Sequence, residues 1–280
     1  KSLKIIWTNQ DTGDRGFLSP DGAGRLDTGT QNGVYHYMKL SKRLELVASM
    51  APEKSRVADV GTDHGYIPIA LVERGIAVNA IAMDLRPGPL RRAEDHIRQA
   101  GLRGMIQTRL SDGLSKLSPG EADVAVIAGM GGELIIHILD EGRHVWQDMG
   151  RFILSPQSDL DKVRRYLREQ GFGFIDEAMV EEEGKFYTVM AVSQTEGMPW
   201  IPAWDQESIY LYGPVLIKKK DPVLLRFLDK EQKRIEGVLN HLKNQRTVCG
   251  KATEGALTAE KEMERQLHKI DEALRLMGTE

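Results

Sequence analysis

A doubly wound α/β domain followed by a helical hairpin is the fold predicted by this 280-residue sequence. Three observations carry the prediction. Short apolar runs alternate with amphipathic stretches from Arg56 to about Gln194, the pattern of a parallel sheet covered by helices. That repeat closes on two successive strands, Gly173–Val180 and Lys185–Ser193, which puts one antiparallel strand into an otherwise parallel sheet. Beyond Pro202, two leucine-rich stripes recur at spacings of three and four, so each marks one apolar helix face.

The elements follow in order. Asp11–Gly33 is rich in Gly, Asp and Thr without a sustained period. Residues 1–37 therefore read as an N-terminal extension, disordered or non-native, with Met38 as the native start. A helix opens behind Ser41 as N-cap, with Leu44, Val47 and Ala48 on one face. Arg56–Val60 is an apolar strand running into Gly61-Thr62-Asp63-His64-Gly65, and a helix spans Tyr66–Arg74. The strand Ala77–Met83 ends on Asp84. The next helix has Pro89 in its first turn, an apolar face of Leu90, Ala93, Ile97 and Ala100, and Gly101 as its stop.

Met105–Leu110 forms the third strand and leads into Ser111-Asp112-Gly113. Ala122–Ala128 is apolar throughout, as a strand buried on both faces should be. It meets Gly129-Met130-Gly131-Gly132 and a helix over Glu133–Asp140. Phe152–Leu154 is the fifth strand, Ser158–Gln170 a helix ending at Gly171, and Glu181–Gly184 joins the closing hairpin. Residues 196–202, with Gly197, Pro199 and Pro202, read as a linker. The stripes Leu225, Leu228, Gln232, Ile235, Leu239, Leu242 and Met263, Leu267, Ile270, Leu274, Met277 are separated by Thr247–Gly255. They predict an antiparallel, coiled-coil-like hairpin whose stripes bury each other. The domain plan is thus 1–37, 38–195, a linker at 196–202, and a helical domain over 203–280.

Composition narrows the function. The 41% hydrophobic content supports a packed core. No apolar run approaches the roughly 20 residues needed to span a bilayer, and Lys1–Gln10 makes a poor signal peptide. The lone Cys249 permits neither an internal disulfide nor a cysteine zinc site, and the histidines lack metal-ligand spacing. No metal and a reducing cytoplasm are expected. With 38 Lys+Arg against 41 Asp+Glu, the net charge is −3. Partners carrying phosphate must then be met by local patches. No Walker motif or nucleophile elbow occurs.

The richest segment is Asp59-Val60-Gly61-Thr62-Asp63-His64-Gly65-Tyr66, at the first strand-to-helix turn, where such sheets bind ligands. A dinucleotide loop would need G-x-G-x-x-G. Here Asp63 stands between Gly61 and Gly65, and a carboxylate repels pyrophosphate. S-adenosylmethionine, which carries an ammonium and a sulfonium and no phosphate, suits these acids better. Asp84 then accepts from ribose hydroxyls, while Asp112 with Gly113 faces the adenine amine. An Asp after a strand also serves as turn former or helix cap; three at successive strand ends favour the cofactor. With the closing hairpin, the pattern predicts a Rossmann-like methyltransferase domain.

Gly129-Met130-Gly131-Gly132 replaces the Asn/Asp-Pro-Pro-aromatic loop of many amino-methylating enzymes. Its glycines permit close backbone approach to a base or the methyl donor, and equally a tight strand–helix turn. Met130 is expected beside the target base. His64 either orients substrate or bonds nearby backbone.

Leu40-Ser41-Lys42-Arg43-Leu44, Asp59–Pro68 (DVGTDHGYIP), Ile127–Gly132 (IAGMGG) and Glu182–Tyr187 (EEGKFY) together resemble the bacterial tRNA adenine-22 N1-methyltransferase family. The resemblance runs from Met38 to the C-terminus. It implies methyl transfer from S-adenosylmethionine to N1 of adenosine 22 of tRNA, with site residues carried over at Asp59, Gly61, Asp63, Gly65, Asp84, Asp112 and Gly129–Gly131. It identifies no general base; Asp63 and Met130 are the catalytic candidates.

A tRNA partner requires basic patches. The candidates are Lys42, Arg43, Arg86, Arg91 and Arg92 near the cofactor mouth, Arg164, Arg165 and Arg168 on a later helix, and Lys218, Lys219, Lys220, Arg226, Lys230, Lys233 and Arg234 in the helical domain. Each patch also reads as a solvated helix face; Lys218–Lys220 stand before Asp221-Pro222, a predicted helix start where cations lack a favourable dipole, which makes them candidate phosphate contacts. Residues 38–195 are expected to bind cofactor by themselves, and the chain to act as a monomer. The competing readings are a methyltransferase acting on another RNA, a protein or a small molecule, and a non-catalytic RNA-binding scaffold.

Overall fold

The computed structural model describes residues 38–201, 205–249 and 254–278, preceded by three short strands, β1 (Ile6–Thr8), β2 (Arg15–Leu18) and β3 (Gly24–Leu26). Where composition predicts an irregular extension, these three pair antiparallel in the order β1-β2-β3. Ile6, Trp7, Thr8 and Phe17 are strand-favouring residue types, too few in a row to declare a period.

The main sheet has seven strands: β4 (Ser55–Val60), β5 (Ala77–Asp84), β6 (Ile106–Leu110), β7 (Val124–Met130), β8 (Arg151–Pro156), β9 (Gly173–Glu182) and β10 (Lys185–Ser193). Their order is β6-β5-β4-β7-β8-β10-β9, with β10 antiparallel to both neighbours and the rest parallel. The predicted antiparallel insertion is thus present. Strand order reverses between β4 and β7, which opens a crevice at their carboxyl ends. Glu183 (φ 51°) and Gly184 (φ 75°) turn the β9–β10 hairpin. Two left-handed residues in succession match the twist of the strands they join.

Helices α1 (Lys42–Ser49), α2 (Tyr66–Glu73) and α3 (Pro87–Gln99) cover one face, where Val47, Ile69, Leu71, Ala93 and Ile97 are buried. α4 (Gly132–Glu141) and α5 (Leu160–Glu169) cover the other, with Ile135, Leu139, Val163 and Leu167 packed on Phe152 and Phe172. Ser41 caps α1 as predicted, accepting from Leu44 N at 3.4 Å, and Glu182 Oε1 accepts from Lys42 N at 2.6 Å. The hairpin therefore holds the start of α1, which explains why EEGKFY and LSKRL occur together.

Several boundaries differ from expectation. β7 continues through Gly129 to Met130 because Met130 still pairs with Pro156, across an irregularity after Ala128. α3 starts at Pro87, which keeps Pro89 in its first turn as expected, and a short 3₁₀ turn covers Arg143–Asp148. Residues 196–201 are no free linker. Met198 exchanges backbone hydrogen bonds of 2.8 and 2.9 Å with Phe174, and Trp200 stacks on Tyr210 at 4.7 Å. Residue 202 lies outside the described residues.

The helical part comprises α6 (Glu207–Tyr212), α7 (Pro214–Lys219), α8 (Pro222–Cys249) and α9 (Glu254–Met277). The two stripes do not bury each other alone. Leu228, Ile235 and Leu239 share a core with Ile270, Ala273 and Met277, and with Ile209, Leu216 and Ile217 from α6 and α7. The break predicted at Thr247–Gly255 is narrower, since α8 reaches Cys249 and α9 begins at Glu254; residues 250–253 lie outside the described residues.

The basic run on α5 is corrected at Arg164. Arg164 is fully buried, with Nε 2.9 Å from Glu177 Oε1 and Nη1 donating to the carbonyls of Tyr210 and Leu211 at 2.7 and 2.8 Å. Arg165 pairs with Glu207 at 2.5 Å and Arg168 with Asp205 at 2.6 Å. All three bind α5 to the segment leading into the helical part, and Arg164, being fully buried, cannot meet phosphate.

Candidate functional site

At the β4–β7 crevice lies a cavity of about 300 Å³, lined among others by Arg43, Asp59, Gly61, Asp63, Gly129 and Gln157. Its floor follows from backbone chemistry. Gly61 (φ 74°) and Gly65 (φ 72°) hold left-handed conformations, and Asp63 between them does so at φ 45°. Asp is one of the few non-glycine residues that tolerate this region. The loop thus turns three times without a bulky side chain and leaves backbone facing the cavity.

Its electrostatics are set by two acids. Asp59 is buried at the end of β4; burial, aided by the nearby Asp84 carboxylate, pushes its carboxyl up to about 6. Asp63 is half exposed and pairs with Arg92 at 2.5 Å, with His64 Nε2 at 3.5 Å on its other oxygen. Its charge is therefore already shared with a cation. His64 belongs to a ring stack: its centroid lies 5.1 Å from Tyr66 and 5.6 Å from His96, and its carbonyl is 2.8 Å from His96 Nδ1. The His64 ring itself makes no hydrogen bond to backbone; the backbone contact here is its own carbonyl facing the His96 ring.

The other strand ends are neighbours of the cavity, outside its lining. Asp84 Oδ2 lies 3.4 Å from Asp63 N, its Oδ1 accepts from Arg86 N at 2.9 Å, and its carbonyl accepts from Ser111 N at 2.9 Å. The β5 and β6 ends are thus tied together, with Asp112 exposed beside them. Gly113 (φ 49°) has a packing reason of its own, since a Cβ there would stand 3.0 Å from Ile138 Cγ2.

The four glycine-rich positions divide the work. Gly129 faces the cavity. Gly131 and Gly132 start α4 against Ser158 and Asp159; a Cβ on Gly132 would stand 2.6 Å from Ser158 O. Met130 does not line the cavity. It lies over Gly61, one of the lining residues.

Of the basic candidates, Arg43 and Arg92 reach the cavity region, while Lys42, Arg86 and Arg91 stay exposed on the same helices or their flanks. Arg43 lies over the Tyr187 ring at 5.2 Å. Lys218–Lys220 do stand before a helix start, that of α8 at Pro222, but they also close the helix before it. Lys218 and Lys219 form the last turn of α7, and Lys220 is its cap, so they sit where a helix dipole favours cations. Lys219 also pairs with Asp176. Arg226 lies 3.7 Å from Glu181, Lys230 donates to Gly184 O at 3.2 Å, and Lys233 and Arg234 pair with Asp229 and Glu231, both at 2.8 Å.

Sequence reasoning missed Gln157, Thr62, Tyr66 and the apolar walls Leu44, Ile67 and Ala128. Gln157 was findable, because it follows β8 at the same sheet edge that nominated the other strand ends. No group of three or more His, Cys, Asp or Glu side chains among the described residues is placed to hold a metal. No described helix is long and apolar enough to cross a membrane.

Comparison with known proteins agrees with this geometry. A family described as "Methyltransferase domain" matches residues 40–190. The Bacillus subtilis tRNA (adenine(22)-N(1))-methyltransferase is 35% identical over 205 residues, 73% of this chain and 86% of the relative. The crystal structure of the B. subtilis m1A22 tRNA methyltransferase superposes with a TM-score of 0.70 at 33% identity, covering 84% of this chain and 99% of that one. A Streptococcus pneumoniae protein solved in complex with S-adenosyl-L-methionine gives a TM-score of 0.70 at 34% identity, covering 84% and 100%.

Fold and site together define an S-adenosylmethionine-dependent methyltransferase. The residues fit that group: a buried carboxyl, an acidic glycine loop, and bare backbone at Gly61 and Gly129 suit a ligand with cationic centres. Within that class, the chain belongs to the tRNA (adenine(22)-N(1))-methyltransferase family.

Proposed function

We infer that this chain methylates N1 of adenosine 22 in tRNA, acting in the cytoplasm as a monomer. The observation that carries the reading is the cavity itself, built within one chain from the family's own motifs: Arg43 from LSKRL, Asp59–Ile67 from DVGTDHGYIP, and Ala128 and Gly129 from IAGMGG. The cofactor supplies an electrophilic methyl group on a sulfonium. Asp59, Gly61, Asp63, His64 and Gly65 hold it from the β4 side. Asp84, Asp112 and Gly113 approach from the ends of β5 and β6, and Gly129, Met130 and Gly131 close the β7 side.

Adenine N1 is an unprotonated lone pair at neutral pH, so the chain need supply no base to create the nucleophile. Its work is positioning and water exclusion, with reacting atoms brought to about 3–3.5 Å. N1 lies on the pairing edge, so the nucleotide must leave its stack to enter the cavity. Asp63 balances the positive charge that develops on the ring, with Arg92 setting how much of its charge is free. The cations at the cavity mouth, Lys42, Arg86 and Arg91, contact phosphate, and those of α8 extend the track. Mass mapping of tRNA after incubation with the protein and cofactor tests the reading. A single added methyl on N1 of adenosine 22 is expected; a methyl elsewhere, or none, overturns it.

A further inference from the structure

Gln157 stands at the first position beyond β8, and its backbone N–H donates to Met130 O at 2.8 Å. That bond fixes the residue to the bulged end of β7, beside Gly129. A Cβ built on Gly129 would stand 3.5 Å from Arg43 Nη1 and 3.9 Å from Gln157 Nε2. The bare Cα of Gly129 thus lies between two polar heads, both lining the cavity. Among the described residues the Gln157 carboxamide is exposed and makes no hydrogen bond. It is a donor and an acceptor on one rigid plane with nothing in the fold to hold.

Resting on the function inferred above, we propose that Gln157 is the specificity residue that reads the target adenine, through its N6 and N7 atoms. The chemistry selects that edge. A carboxamide matches adenine in a bidentate pair, its oxygen accepting from N6–H and its nitrogen donating to N7. This pairing uses N7 and the N6 hydrogen on the N7 side, so it steadies the ring and leaves the N1 lone pair free. Guanine offers two acceptors there, N7 and O6, and would set its O6 against the amide oxygen. Cytosine and uracil have no N7. Arg43, over the Tyr187 ring at 5.2 Å, shapes the other side of the seat.

Single-turnover methylation at saturating cofactor separates this role from others. The substrates are unmodified tRNA and tRNA carrying 7-deazaadenosine at position 22, which lacks only the N7 acceptor. The parent protein should lose roughly tenfold in rate on the deaza substrate, the worth of one such hydrogen bond. Gln157→Ala should be slowed by at least as much on unmodified tRNA and lose nothing further on the deaza substrate. Gln157→Glu keeps the acceptor for N6–H and loses the donor, so it should fall between the two and also ignore the deaza change. An equal deaza penalty in parent and Gln157→Ala overturns the proposal, as does an Ala variant as fast as the parent. A matching loss of cofactor affinity by calorimetry, in a variant of unchanged melting temperature, would reassign Gln157 to the cofactor. Failure of the parent to place a methyl on N1 of unmodified tRNA would instead refute the function on which the proposal rests.

Discussion

The Met130 thioether methyl packs directly onto the bare Cα of Gly61: a Cβ there would stand 2.1 Å from Met130 Cε. The contact joins the two glycine motifs across neighbouring strands β4 and β7. Met130 is flexible and can swing aside; Gly61 has no such freedom. Its φ of 74° is strained for any residue with a side chain.

Gly61→Ala should therefore cost about 1–3 kcal/mol of stability and weaken cofactor binding at least tenfold. Adding Met130→Ala should relieve the steric part and leave the backbone part, so the double variant recovers only some of the loss. Denaturant unfolding and calorimetric titration measure both quantities. Full recovery would show that the glycine serves packing alone.

A second expectation concerns the junction of the two layers. Arg164 and Glu177 are both fully buried, and Glu177 Oε2 also accepts from Val215 N at 2.9 Å. Arg164→Leu leaves an unpaired carboxylate in the core and should destabilise the protein by about 3–5 kcal/mol. The same reasoning reverses an expectation drawn from sequence. A chain ending at Thr195 keeps the cofactor motifs, yet it strips Tyr210, Leu211 and Val215 from this pair. It should unfold in milder denaturant than the full chain and fail to hold cofactor under conditions where the full chain does. Parent-like stability of the shortened chain would show the junction to be dispensable.

These outcomes mark what could be read from sequence. The sheet was legible because each strand is a short apolar run and each turn carries its glycine, as with Gly61, Gly65 and Gly184. The strand-end acids Asp59, Asp63 and Asp84 were legible for the same reason: a strand boundary locates them. Long-range pairing was not. Nothing local says that Arg164 finds Glu177 across the sheet, or that Lys219 finds Asp176. Charge runs were therefore assigned to a partner when the fold itself consumes many of them. For Lys218–Lys220 the helix start at Pro222 was legible, whereas the end of α7 directly before it was not, because Pro214–Lys219 is too short to show a period.

The basic residues should now separate by experiment. Arg86 and Arg91 are exposed, with no ion pair among the described residues. Replacing both by Ala should weaken tRNA binding and flatten its dependence on salt, the slope falling by about 0.7–0.9 for each phosphate no longer neutralised. Lys219→Ala breaks a pair that the fold already makes. It should change the salt slope less than the double variant does. Filter binding across a salt series reads both, and equal slopes for the two would restore Lys219 as a phosphate ligand.

The buried Asp59 yields a pH dependence whose sign is opposite to that of a surface ion pair. In an unfolded chain an aspartate titrates near 3.9, whereas burial in the fold pushes Asp59 up to about 6. The folded state thus holds its proton more tightly over that interval. Stability contributed by this group is lost as pH rises from about 4 to about 6, and the loss is constant above. Asp59→Asn removes the burden of ionising a buried acid. The variant should be more stable than the parent at pH 7.5 by on the order of 2–3 kcal/mol, with the difference vanishing near pH 4. Function should move the other way. If the ionised Asp59 faces a cationic ligand, parent affinity for S-adenosylmethionine should fall as pH drops below about 6, and the Asn variant should bind weakly at every pH. Denaturant unfolding at several pH values, paired with calorimetry, tests both halves. A variant less stable than the parent at pH 7.5 would mean that Asp59 is held by its surroundings as a stabilising anion. An unchanged pH profile of binding would move the cofactor's positive charge away from β4.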